Sequence, residues 1–132
     1  MITTGVIARR LPAGETRGLI ARILDRFAEW PNPGTRLWEA LASGVARRRS
    51  DGWSLICEYP EKEPILLFED GEEFSGYEFS SPADLKSVLA ESPGFEFYMT
   101  NKYAEFVLCL NHHDFIICMG DCQKWLSAIE GR

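Results

Sequence analysis

The chain has 132 residues, 45% of them hydrophobic and 26% charged, with a formal net charge of −6. That length gives one domain, large enough to bury a core without metal or disulfide support. The apolar share excludes a disordered chain, and the lack of a run of about 18 apolar residues excludes a membrane-spanning helix.

The charge is unevenly distributed. Residues 1–50 hold nine Arg against four acids, a balance of +5. Residues 51–132 hold sixteen acids against five Lys or Arg, a balance of −11. An acidic region of this kind repels nucleic acid and membrane phosphates and attracts basic surfaces. Arg9 and Arg10 follow the short apolar stretch at the N-terminus, the reverse of a signal peptide, so a cytoplasmic protein is expected.

Residues 12–30 read as an amphipathic helix, with Leu19, Ile20, Ile23, Leu24 and Phe27 on one face. Pro31-Asn32-Pro33-Gly34 ends it. A second helix is expected from about Thr35 to Arg47, with Leu37, Trp38, Leu41 and Val45 as its stripe. Arg47-Arg48-Arg49 would close that helix, where the macrodipole favours cations. The period then changes. Trp53–Tyr59, Ile65–Phe68 and Gly76–Ser80 read as strands, with Asp70-Gly71 as a turn. Ser81-Pro82-Ala83-Asp84 carries the marks of a helix start, and Leu85, Val88 and Leu89 form the buried stripe. Phe95–Thr100, Ala104–Leu110 and Phe115–Met119 read as three more strands. The last two are almost wholly apolar and are expected to lie centrally, covered on both faces. Asp121 then opens a short helix with Trp125, Leu126 and Ile129 inward.

The expected order is α-α-β-β-β-α-β-β-β-α. It describes a single α+β domain over 1–132, with a mostly antiparallel sheet of about six strands and helices packed on it.

The cysteines are Cys57, Cys109, Cys118 and Cys122, three of them in apolar runs where thiols act as buried core atoms. Four reduced thiols are expected. Cys109, His112 or His113, Cys118 and Cys122 cluster in sequence as zinc ligands would, but their spacing matches no finger or ribbon, and neither metal nor cofactor is expected.

Two stretches carry candidate function. Asn111-His112-His113-Asp114 joins two apolar strands. As a catalytic loop it would use His as a base, with Asp114 orienting it. As a turn it would use Asn and Asp to bond the backbone, and the turn is favoured because no nucleophile signature accompanies it. The second stretch holds Glu58, Glu61, Glu63, Glu69, Asp70, Glu72, Glu73 and Glu78 against Lys62 alone. Aromatic residues, Tyr77 among them, are mixed into it, and aromatics anchor protein interfaces. Nucleic acid is disfavoured as a partner, because Arg47–Arg49 is the only basic run and no aromatic strand motif accompanies it.

Glu96-Phe97-Tyr98, followed by Phe106 to Ile117 around the Asn-His-His-Asp hairpin, resembles a bacterial family of small uncharacterised domains. The resemblance covers about residues 75–127. It implies a small bacterial cytoplasmic domain and assigns no catalytic residue. By analogy of size, acidity and missing active-site signature, the chain is similar to immunity proteins of bacterial toxin systems. The expectation is a non-enzymatic immunity protein that binds a cognate toxin domain with a basic surface. Its contact is expected at Glu58, Glu61, Glu63, Glu69, Asp70, Glu72, Glu73, Tyr77 and Glu78, with His112, His113 and Asp114 as a second region. The alternatives are a small hydrolase using the 111–114 loop and a structural or regulatory adaptor.

Overall fold

A computed structural model of the chain describes residues 8–27, 45–71, 73–91, 96–111 and 113–129. In chain order these form β1 (Ala8–Arg10), α1 (Ala13–Phe27), β2 (Val45–Arg48), α2 (Gly52–Ile56), β3 (Ile65–Asp70) and β4 (Glu73–Phe79). There follow α3 (Pro82–Ala90), β5 (Phe97–Thr100), β6 (Phe106–Leu110), β7 (Phe115–Gly120) and α4 (Gln123–Ile129). The fold is α+β, with seven strands in one sheet, ordered β1-β4-β3-β5-β6-β7-β2 and antiparallel at every pairing.

The alternation of side chains along each strand divides the core in two. Ile65, Leu67, Tyr98, Val107, Cys109, Ile117 and Met119 face α1, which covers them with Leu19 and Ile23. Leu66, Phe97, Met99, Phe106, Leu108, Ile116 and Cys118 face the other way. There α2, α3 and α4 close over them with Leu55 and Ile56, with Leu85, Val88 and Leu89, and with Leu126 and Ile129. Helices on both faces explain why β5 and β6 are buried along their whole length and why their sequences do not alternate in polarity.

Helix α3 starts as its sequence predicts. The Ser81 side chain accepts from the Asp84 N–H at 3.2 Å, and Pro82 opens the helix. The third expected strand extends back to Glu73, paired with β3 around the Asp70-Gly71 turn. Gly71 takes φ +70°, which the turns of two-residue hairpins require.

Three assignments differ. Trp53–Tyr59 is not a strand, because Gly52–Ile56 is helical. Trp53, Leu55, Cys57 and Tyr59 alternate, but Gly52, Leu55 and Ile56 also lie at helical spacing, and these three are the buried positions of α2. The helix lies so close to the sheet that a Cβ on Gly52 would come within 2.8 Å of Leu110 Cδ1. Arg47 and Arg48 do not end a helix; they sit in β2, an edge strand paired with Ile116 and Phe115 of β7. The rest of the second expected helix lies outside the described residues. Finally, Ala8–Arg10 forms an edge strand where none is expected. Two strands gained and one lost bring the count from six to seven.

The expectation of four free thiols holds for Cys57 and Cys109, both buried. It fails for Cys118 and Cys122, which form a disulfide between β7 and the start of α4. Both lie on the same face of the sheet, and their Cα atoms are 6.0 Å apart, a distance a disulfide spans.

Candidate functional site

The pairing register gives the sheet two rims. One carries the β3–β4 tip, the head of β5 and the β6–β7 loop. The other carries the approach to β3, the β5–β6 loop and the exit of β7.

This arrangement divides the acidic stretch. Glu58, Glu61 and Glu63 lie between α2 and β3, on the second rim. Glu69 and Asp70 lie at the far end of β3, about 17 Å away at strand rise. Glu78 faces Ile65 across the β3–β4 pair and bonds Arg9 at 3.3 Å. Glu72 and His112 fall outside the described residues.

The first rim gathers charge from separate parts of the chain. Glu69 and Glu73 are exposed on the two strands of the hairpin, and the register sets Asp70 directly opposite Glu73. Next along the rim comes Glu96, immediately before β5, and then Asp114 on the β6–β7 loop. β3 and β6 are separated only by β5, so the hairpin and the loop lie about 10 Å apart. Beside Asp114, Phe115 leaves 37% of its surface exposed; Arg48 of β2 pairs with it, and the Arg49 N–H donates to the Asp114 carbonyl at 2.9 Å, so two arginines stand at this end of the rim. Sequence reading misses Phe115 because it opens an apolar strand like any core residue. It misses Glu96 because only the sheet order brings that residue beside the hairpin. Behind the tip, Phe68 and Tyr77 stack with ring centroids 6.1 Å apart and planes 4° from parallel, so Tyr77 stiffens the hairpin.

In the β6–β7 loop, Asn111 acts as scaffold. Its side-chain oxygen accepts from the N–H of His113 at 2.9 Å and of Phe115 at 3.1 Å. Its backbone oxygen accepts from Asp114, whose φ is +64°. The β5–β6 loop repeats the device. Asn101 accepts from Tyr103 and Glu105, and Ala104 takes φ +52° and bonds back to the Asn101 carbonyl. The amide oxygen of Asn111 is thus committed to the backbone, while His113 and Asp114 are exposed beyond it.

On the second rim, the Asn101 side-chain nitrogen donates to Glu61 at 3.1 Å and to Glu105 at 2.7 Å. Tyr59 packs between Phe106 and Trp125. Its hydroxyl is held above the ordinary value by burial first, then by Asp121, Glu61 and Glu105.

The thiols are poor nucleophiles. Burial pushes Cys57 up to about 12, countered by Lys86 and reinforced by Glu58. Burial also raises Cys109 well above the usual range, and a nucleophilic cysteine needs the opposite shift. The sheet separates Cys109 from Cys118 and Cys122, which lie on the other face. Among the described residues no group of three or more His, Cys, Asp or Glu is placed to hold a metal ion. Among them, too, no helix is long and apolar enough to cross a membrane.

Comparison of the chain with protein-family models, with curated proteins and with solved structures finds no match.

Proposed function

We propose that this protein is an immunity protein that binds a cognate bacterial toxin domain and blocks it through the acidic rim. The observation that carries the reading is the rim itself. Glu69, Asp70, Glu73, Glu96 and Asp114 come from three parts of the chain to one end of the sheet, beside the exposed ring of Phe115. The partner it fits has a basic cleft. Carboxylates steer such a partner into contact, and the aromatic ring anchors it once there. The commitment of the Asn111 amide oxygen to its turn favours binding over hydrolysis at the 111–114 loop.

The test is affinity capture from cells that make the protein, with wild type beside Glu69→Lys/Glu73→Lys and Phe115→Ala. Wild type should retain a basic protein and relieve its toxicity when the two are co-expressed. The charge-reversed protein should associate at least tenfold more slowly with a shallower salt dependence, and Phe115→Ala should mainly speed dissociation. Capture unchanged by the charge reversal, with the variant folded, would sink the electrostatic account.

A further inference from the structure

One row of residues crosses the sheet beneath α1. Arg9 of β1 stands opposite Glu78 of β4, Glu78 opposite Ile65 of β3, and Ile65 opposite Thr100 of β5. Lys102 follows two residues beyond Thr100, in the β5–β6 loop. Above the row, Glu15, Gly18 and Arg22 fall three and four residues apart on α1, along one face of the helix. Two contacts fix how that face runs across the strands. Glu15 meets Arg9 at 3.5 Å, and the Arg22 guanidinium donates to the Lys102 carbonyl at 2.6 Å. Between the helix and the row lies an open cavity of about 340 Å³ with Leu11, Leu19 and Ile65 as its floor. It stands at the small end of ligand sites, which begin at about 300 Å³.

The cavity is electrically polarised along its length. At one end, Glu15 and Glu78 share the single cation Arg9, at 3.5 and 3.3 Å. Arg9 takes one oxygen of each carboxylate and leaves the other without a partner among the described residues. At the other end, Arg22 and Lys102 come together, and among the described residues neither is in an ion pair. The Lys102 ammonium lies 5.1 Å from the centroid of the Tyr103 ring. The two ends are about 10 Å apart, both along α1 from Glu15 to Arg22 and across the strands from Glu78 to Thr100. Gly18 stands between them on the cavity wall. A Cβ there would meet nothing within 4 Å, so packing within the chain does not require glycine. Glycine is the poorest helix former after proline. At this position, well inside α1, its effect is to leave the wall bare between the charged ends.

We propose that this cavity binds a small linear zwitterion, a carboxylate and an ammonium joined by an apolar chain. The carboxylate would pair with Arg22, whose guanidinium keeps further N–H donors beyond the one given to the Lys102 carbonyl, in the field of the Lys102 ammonium. The chain would pass Gly18 over Leu19 and Ile65, and the ammonium would reach the open oxygens of Glu15 and Glu78. Three cations against two carboxylates leave one positive charge in excess, so the carboxylate end contributes more than the ammonium end. The cavity shares no residue with the acidic rim, and Ile65 stands at the opposite end of β3 from Glu69 and Asp70. Its ligand is not the toxin partner.

The experiment is an amide-resolved NMR titration of the full chain with ε-aminocaproate, caproate and hexylamine, against sodium chloride at equal ionic strength. ε-Aminocaproate should shift the amides of Gly18, Leu19, Arg22, Ile65 and Lys102 saturably. It should do so at a concentration at least fivefold lower than caproate, with hexylamine weaker than either. Arg22→Gln, at an exposed position, should weaken ε-aminocaproate at least tenfold. Glu15→Gln/Glu78→Gln should bring ε-aminocaproate to the level of caproate. Gly18→Leu should fill the cavity and abolish binding, with a urea midpoint at or above that of wild type. Glu69→Lys/Glu73→Lys should leave the titration unchanged, which separates this site from the rim. Equal shifts with sodium chloride, no preference for ε-aminocaproate over caproate, or unchanged binding by folded Arg22→Gln or Gly18→Leu would each overturn the proposal.

Discussion

Gly120 shows how narrow the tolerance is at a single residue. Its φ is +82°, and a Cβ there would sit 2.5 Å from the Glu105 carbonyl oxygen and 2.9 Å from the Phe27 ring. The backbone oxygen cannot move away, because it accepts the Asp121 N–H. Gly120→Ala should therefore cost roughly 2–4 kcal/mol, read from the midpoint of urea unfolding, through backbone strain and overpacking together. Cys57 makes a prediction about pH. Its ordinary value is 9.0, and burial raises it to about 12 in the folded protein. Between these values the unfolded chain gives up the proton while the folded one keeps it, so ionisation favours unfolding. The stability is fully present below pH 9 and is lost as pH rises towards 12. Near pH 10 the loss from this group is about 1.4 kcal/mol. Cys57→Ala should lower stability at pH 8 by leaving a small cavity, yet lose about 1 kcal/mol less than wild type between pH 8 and pH 10. Equal losses in the two proteins would exclude Cys57 as the cause.

At the scale of elements, the two Asn-centred hairpins carry most of the explanation. Asn101 and Asn111 each satisfy two backbone N–H groups with one buried amide oxygen. Asn111→Ala or Asn101→Ala would strand both donors and should cost roughly 2–3 kcal/mol by thermal or urea unfolding. Asn→Asp keeps the acceptor and should recover most of that at position 111. At 101 it should recover less, because the lost NH2 also holds Glu61 and Glu105. The 111–114 turn was legible in its residue types, since Asn and Asp bond backbone and tolerate positive φ. The 101–105 turn was not, because Asn-Lys-Tyr-Ala-Glu puts alanine at the positive-φ position. Helix α3 was legible for the same kind of reason: Ser81, Pro82 and Asp84 act locally. β1 and β2 were not, since strands of three and four residues are too short to show a period.

For the whole molecule, charge placement matters more than net charge. The carboxylates of the first rim come together from β3, β4, the residue before β5 and the β6–β7 loop, where Arg48 and Arg49 adjoin them, while Arg17, Arg22 and Arg26 lie on α1. Screening confines each field to about 8–10 Å at ordinary salt. Reversing Arg17 and Arg26 should therefore change association with a captured basic partner less than twofold, while Glu69→Lys/Glu73→Lys slows it at least tenfold. Stopped-flow association at two salt concentrations would check both. A comparable slowing from the arginine variant would mean that net charge steers the partner and the rim does not.

Residue order alone determined the class of fold, the buried strands at the C-terminal end, the α3 cap, the Asn111 turn and the acidity of the C-terminal two-thirds. Each of these rests on local chemistry or on a period that a few consecutive residues display. Which acids share a surface was decided only by the tertiary structure. A strand about 17 Å long carries Glu61 and Glu69, neighbours in the acidic run, to opposite rims. Long-range pairing of β3 with β5, and of β5 with β6, sets Glu69, Glu96 and Asp114 along one rim beside Phe115.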